Sequence, residues 1–423
     1  MKHSFIFFFI YLFSLLPSEA QTAYRTEIFS PKRIKTLQVK QPDKVFSTQV
    51  ITLGSDEQIE ISFDDLSSHF TRYAYNVIHC NTDWAASQLA QTEYMQGFQG
   101  LTIDDYANSF NTTVQYVNYR LLLPNEEIQL KVSGNYVVRV YDEEQPENAI
   151  LTACFSVVDP QVSIRGEVKG NTLIDTYQQH QQVNFTVIKK NYPITFPQRD
   201  LKIRILQNDR HDLRISDIQP STILNDRIIY ENCRSLIFPA GNEYRRMEFL
   251  THKYNGMHVE STSFFNPYYH VELSTDFPTA TNSYAYDQDQ NGRFYPACSR
   301  CDDADTESDY CIVHFSLDMP EIKGGNVFLN GDFVQNLFKA ENEMVYNPDA
   351  QRYEKALLLK QGNYNYQYLW VKEGAGTGET GTIEGNFHET ENEYTIYIYY
   401  CPPGARYDQL IGFQTLRSTQ GQL

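Results

Sequence analysis

Three short stretches of this 423-residue chain hold residue types able to do chemistry. The first is Asp287-Gln-Asp289-Gln-Asn291-Gly292. It reads as the opening half of a calcium loop, with oxygen ligands at alternate positions and a glycine for the sharp turn. A complete loop needs a bidentate Glu at its twelfth position, where this chain has Cys298, and Pro296 stands where an exiting helix should begin. Asp287, Asp289 and Asn291 are therefore a partial calcium candidate, set against a plain Asn-Gly turn with solvated aspartates. The second stretch holds Cys298, Cys301 and Cys311, with His314 completing the donor types of a Cys₃His zinc set. Alternation along a strand at 310–317 would turn Cys311 and His314 to opposite faces. A disulfide between two of the three cysteines is the preferred reading in an exported chain. The third is Gly376-Thr-Gly378-Glu-Thr-Gly381. A dinucleotide site requires a helix next, whose amides would hold the pyrophosphate. Here a turn and a strand follow, so a hairpin loop is expected. His79 and Cys80, being adjacent on a strand, would face opposite sides and cannot act as base and nucleophile for each other. No G-x-S-x-G, H-E-x-x-H or P-loop occurs. The expectation is a chain with no catalytic residues, no cofactor and no assigned metal, and not an enzyme.

The elements that would position such residues are strands. Hydrophobic residues make up 41% and charged residues 21%, a globular composition. Aromatics reach 14%, nearly all of them Tyr and Phe, and strand-type alternation runs through most of the chain. The expected fold class is all-β: tandem immunoglobulin-like β-sandwiches after a cleaved signal peptide. Residues 1–20 are the signal, with an apolar run Phe5–Leu16 and small residues at Ser18 and Ala20. No cysteine near Ala20 could take a lipid, and no later stretch is apolar enough to span a bilayer. The net charge of −18 argues against nucleic acid and anionic lipid as partners. No direct membrane insertion and no small-molecule ligand are expected.

Turn signals and acidic runs divide the remainder into three blocks: 21–159, an N-terminal sandwich closed by Asp159-Pro160; 160–308, a middle β-rich domain; and 309–423, a C-terminal sandwich of early-set type. Only the stretch 82–98 breaks the β pattern, with room for a turn or two of helix. The last block contains Tyr364, Tyr366, Tyr368 and Trp370, an aromatic at every second position of one expected strand. Such a stripe is either a platform for stacking sugars or one wall of a sandwich core, and the core is the commoner reason for it.

Two resemblances bear on function. Val327–Phe338, VFLNGDFVQNLF, followed by the tyrosine stripe, resembles the sandwich modules attached to starch- and glycogen-acting enzymes. Those modules carry an exposed Trp just after the Gly-Asp-Phe turn, and this chain has Val334-Gln335-Asn336 there. A wider resemblance rests on IHCNTDW (78–84), YVNYRLLLPN (116–125), SGNYVVRVY (133–141), YDQDQNG (286–292), VFLNGDF (327–333), LLLKQGNYNYQY (357–368), FHETENEYTIYIYY (387–400) and RYDQLIGF (406–413). In order and spacing these are similar to the plug protein family of the bacterial type IX secretion system. The resemblance implies a non-enzymatic plug in the periplasm, peripherally associated with the outer membrane. It would bind the outer-membrane translocon barrel protein and seal its pore on the periplasmic side when nothing is being transported. Cys154, Cys298, Cys301 and Cys311 stand outside the pattern. The alternative is a periplasmic or secreted glycan-binding β-sandwich protein.

Overall fold

Along Ile59–Asp65, Tyr73–Cys80 and Val117–Leu123 large apolar residues recur at every second position, so one face of each strand must be buried. In the computed structural model, which describes residues 23–67 and 69–418, those faces meet as the two walls of a first sandwich. One wall runs Glu27–Ile28, Ala149–Val158, Gly134–Asp142, Tyr73–Cys80, Leu101–Thr102, with Val50–Thr52 parallel to Ala149–Val158. The other runs Ile34–Lys40, Ile59–Asp65, Val117–Leu123, Asp105–Asn108. Ile61, Phe63, Tyr73, Tyr119, Tyr136 and Val138 fill the space between. The break in pattern at 82–98 holds one helical turn, Gln91–Tyr94. The signal-peptide reading, residues 1–20, lies outside the described residues.

Beyond residue 160 the strands do not divide at 308. A second sandwich pairs Ser163–Lys169, His180–Ile188, Arg227–Tyr230 and Thr222–Ile223 in one sheet. Its facing sheet runs Arg210–Ser216, Leu201–Gln207, Glu393–Tyr400, Gln409–Arg417. Ile203, Ile205 and Phe185 share a single core with Tyr394, Ile396 and Ile398. The third sandwich lies within this one in sequence. Arg245–Phe249, Phe294–Pro296, Gly325–Asn330 and Gly378–Glu379 surround the long central strand Gly362–Lys372. The facing sheet runs Val259–Phe265, Tyr268–Leu273, Tyr310–Asp318, Arg352–Lys360, Val345–Asn347. The difference from a split into 160–308 and 309–423 has a physical reason. Period-two patterning states which face of a strand is buried but not which strand covers it. The acidic, irregular stretch before Asp309, read as a linker, is instead a crossing inside the third sandwich.

The aromatic stripe belongs to the core of that sandwich. Tyr364, Tyr366 and Tyr368 are at most 1% exposed, whereas Trp370 is half-buried at the strand's end. Removing such a ring from water contributes roughly 2 kcal/mol. Each hydroxyl has a partner: Tyr364 donates to the Lys360 carbonyl at 2.5 Å, and Tyr366 and Tyr368 donate to Asp276 Oδ2 at 2.7 and 2.8 Å.

Candidate functional site

The residues singled out in sequence do not assemble into a reaction centre. Asp287 is gripped by the Arg246 guanidinium, Nε and Nη2 donating at 2.9 and 2.6 Å. Asp289 turns inward and accepts the Tyr244 and Asn291 backbone N–H groups. Burial, with the Asp287 charge adding to it, pushes the Asp289 carboxyl up to about 6 despite those bonds. Asn291 has positive φ, the left-handed turn its type tolerates, and its Oδ1 is buried without a partner. Asp287 and Asp289 thus serve an arginine and a turn. Among the described residues no group of three or more His, Cys, Asp or Glu is arranged to hold a metal ion. Cys298 and Cys301 are joined by a disulfide. Cys311 is a free, buried thiol in the core, its Sγ 3.9 Å from His252 Nδ1, and burial raises its pKa. His314, on the other face of the same strand, instead meets His270, with Nδ1 and Nε2 2.8 Å apart.

Chemistry concentrates where sandwiches meet. At the seam of first and third, Lys360 and Asp64 form an ion pair at 2.6 Å, both side chains fully buried. Tyr310 donates to the same carboxylate at 2.7 Å and Asn118 at 2.8 Å. The ammonium also reaches the Asp305 carbonyl at 2.6 Å and lies 4.2 Å from the centre of the Tyr116 ring. Burial pushes the Asp64 carboxyl up, against the pull of Lys360, Asn118 and Tyr310. Such a pair contributes little net stability but fixes one arrangement, because every alternative strands a buried charge. Beside it the Asp309 carboxylate accepts the Thr113 and Val114 N–H groups at 2.8 and 3.0 Å, tying the acidic stretch to the first sandwich.

The seam of first and second is built around Asp408. Its Oδ2 accepts from Thr82 N at 3.0 Å and Thr82 Oγ1 at 2.7 Å, while Lys202 Nζ reaches both oxygens at 2.7 and 2.9 Å. Burial opposes the charge, but these bonds hold the Asp408 carboxyl below the usual carboxylate range. Tyr399 donates to Asn135 Oδ1 at 2.8 Å, over an apolar patch of Val50, Val158, Tyr399 and Leu410. Between second and third, Arg293 meets Glu393 at 2.6 Å, and the glycine-rich stretch docks by its backbone. Gly378 N donates to Asp212 Oδ2 at 3.0 Å and its carbonyl accepts from Arg210 at 2.7 Å. A Cβ at Gly378 would stand 2.7 Å from Phe338, so glycine is required there by contact. All three sandwiches line a polar cavity of about 110 Å³ that includes Lys40, Asp209, His211, Arg293 and Asp332. Burial and the facing Asp209 push Asp332 up to about 7.

The sequence segments quoted above converge on these seams. Thr82, Asn135, Tyr399 and Asp408, from four of them, meet at one; Tyr116, Asn118 and Lys360, from two others, meet at another. Sequence reasoning missed Asp64, Lys360, Thr82 and Asp408 as junction residues. Lys360 ends an apolar LLLK run, and a cation closing a strand gives no sign that the charge goes inward. Asp64 sits in a strand buried along its whole length, Ile59–Asp65, and an acid there was the one available hint.

Residues 34–159, essentially the first sandwich, match the family model described as the type 9 secretion system plug protein 1st domain. A crystal structure of a hypothetical protein from Parabacteroides merdae is 58% identical, covers 94% of this chain and 100% of that one, and superposes with a TM-score of 0.93. At that identity and coverage the two chains belong to one family. No curated protein matches.

Proposed function

We propose that this chain, whose first sandwich is a type 9 secretion system plug domain, acts as the plug of that system. It would bind the outer-membrane translocon barrel from the periplasm and seal the pore while nothing passes. The observation that carries this reading is the family match over residues 34–159. The seams support it physically. A seal over a wide opening must be broad and stiff, and three sandwiches held to one another by buried ion pairs and hydrogen bonds resist hinge motion between them. The work required is binding and occlusion, which needs no catalytic group. Among the described residues no helix is long and apolar enough to cross a membrane, which leaves a peripheral association with the barrel as the mode proposed.

The test is affinity purification from the native host's outer membrane through a tag placed after Leu423. Recovery of a very large barrel protein in stoichiometric amount is expected. Recovery of the chain alone, as a monomer in the periplasmic extract, would overturn the reading. The glycan-binding alternative loses its main support, because the tyrosines proposed as a stacking platform are core residues. Binding to soluble α-glucans that disappears in Trp370→Ala would restore it.

A further inference from the structure

Edges of sheets expose unpaired backbone groups, and natural proteins shorten them, charge them or cover them. This molecule does so at nearly every edge. Glu27–Ile28, Leu101–Thr102, Thr222–Ile223 and Val345–Asn347 have two or three residues each. Ser163–Lys169 and Arg210–Ser216 are longer but carry Arg165, Glu167 and Lys169, or Arg210, Asp212 and Arg214. Gly325–Asn330 is uncharged but is covered by backbone bonds to Asn342 and Met344. Val259–Phe265 departs from the rule. It has seven residues, stands at the outside of its sheet, and pairs only with Tyr268–Leu273. Asn255 covers the Glu260 carbonyl at 2.6 Å. From Ser261 to Phe265 no charged residue occurs, and among the described residues no backbone bond is made there except to Tyr268–Leu273.

The end of this edge bears two exposed aromatics. Phe264 is 50% and Phe265 is 64% exposed. Successive residues point to opposite faces, and the contacts follow that rule: Phe264 leans on Tyr269 and Phe265 on His270, at centroid distances of 4.9 and 5.3 Å. A strand added along Ser261–Phe265 would find backbone partners in the plane of the sheet and an aromatic ring above and below it.

We propose that Ser261–Phe265 is a docking edge that takes an extended, uncharged segment of a partner protein as an additional strand. The charge on the page selects a partner over a second copy. Each chain carries −18, and self-pairing would bring two Glu260 and two exposed Glu272 side chains to one junction. The inference names a recognition surface and rests on the plug reading only for the compartment in which the partner is met.

The test replaces Ser263 in the full chain with a photo-crosslinking phenylalanine analogue, expressed in the native host. Controls carry the analogue at Val345, on the opposite edge of the same sheet, and at Tyr177 on the second sandwich; both positions are exposed. The expected result is an adduct from position 263 to one short extended segment of one envelope protein, mapped by peptide sequencing. Its yield should be about tenfold above the controls and fall about tenfold when Ser261→Lys is added, since an edge lysine opposes strand addition. An adduct to a second copy overturns the proposal, as does a yield equal to the controls or unchanged by Ser261→Lys. An adduct on a segment of an envelope protein other than the barrel keeps the docking edge and defeats the plug reading. Co-purification of the barrel without an adduct at 263 does the reverse.

Discussion

Two strands of the third sandwich, Gly362–Lys372 and Val259–Phe265, are both uncharged over most of their length and end in consecutive or alternate aromatics. Their rings meet opposite fates. The first strand sits among four others, and Tyr364, Tyr366 and Tyr368 are sealed beneath the facing sheet. The second is the outermost strand of its sheet, and Phe264 and Phe265 stand in water. Aromatic content alone therefore does not distinguish a core wall from a docking surface. Position in the sheet does, because a central strand has its backbone satisfied on both sides while an edge strand has one side free. The hydroxyls mark the same difference: buried tyrosines need partners and find Asp276, and exposed phenylalanines need none.

Substitutions moving outward from centre to edge should trace that difference. Tyr366→Ala, at the centre, should cost about 3–5 kcal/mol in chemical denaturation, the range for emptying a packed aromatic site; a loss below ~1 kcal/mol would break the comparison. Lys360→Ala, where the third sandwich meets the first, should cost about 3 kcal/mol, because Asp64 is left buried and unpaired. Adding Asp64→Leu to Lys360→Met should recover most of it, which a pure packing loss would not allow. Asp332→Asn, at the junction of all three sandwiches, should raise stability at pH 8 by about 1 kcal/mol and change nothing near pH 4. The sign follows from a folded pKa of about 7 lying above the unfolded carboxylate value. The folded state takes up a proton that the unfolded state lacks, so the charged form loses stability as pH rises through that window, and the amide escapes this loss. Thermal melts across pH would read it directly. The smallest effect belongs to the edge: Phe264→Ser with Phe265→Ser should leave stability within about 0.5 kcal/mol, as expected of exposed positions.

Much of the fold was legible because alternation is a local property. Val117–Leu123, with Tyr119 and Leu121 inward, and Tyr310–Asp318, with Cys311 and Val313 inward, can be read residue by residue. The one-turn helix at Gln91–Tyr94 falls where the pattern stops. What remained hidden was pairing over long separations. Leu201–Gln207 finds Glu393–Tyr400 nearly two hundred positions away, and neither strand carries a mark of the other. The junction residues were hidden for a related cause. A lysine at the end of an apolar run normally extends its charge into water. Lys360 goes inward only because Asp64, Tyr310 and Tyr116 from separate strands arrive around it.

By itself, then, the amino-acid order determined an all-β chain, the buried face of each strand, the chemistry excluded by absent motifs, and a set of segments with a family likeness. Only the tertiary structure decided that the last two strands close the second sandwich, that the stripe is core, and that one uncharged edge is left open. A residue's own side chain and its neighbours set its periodicity, but whether a strand has a partner on each side depends on segments far away in the chain.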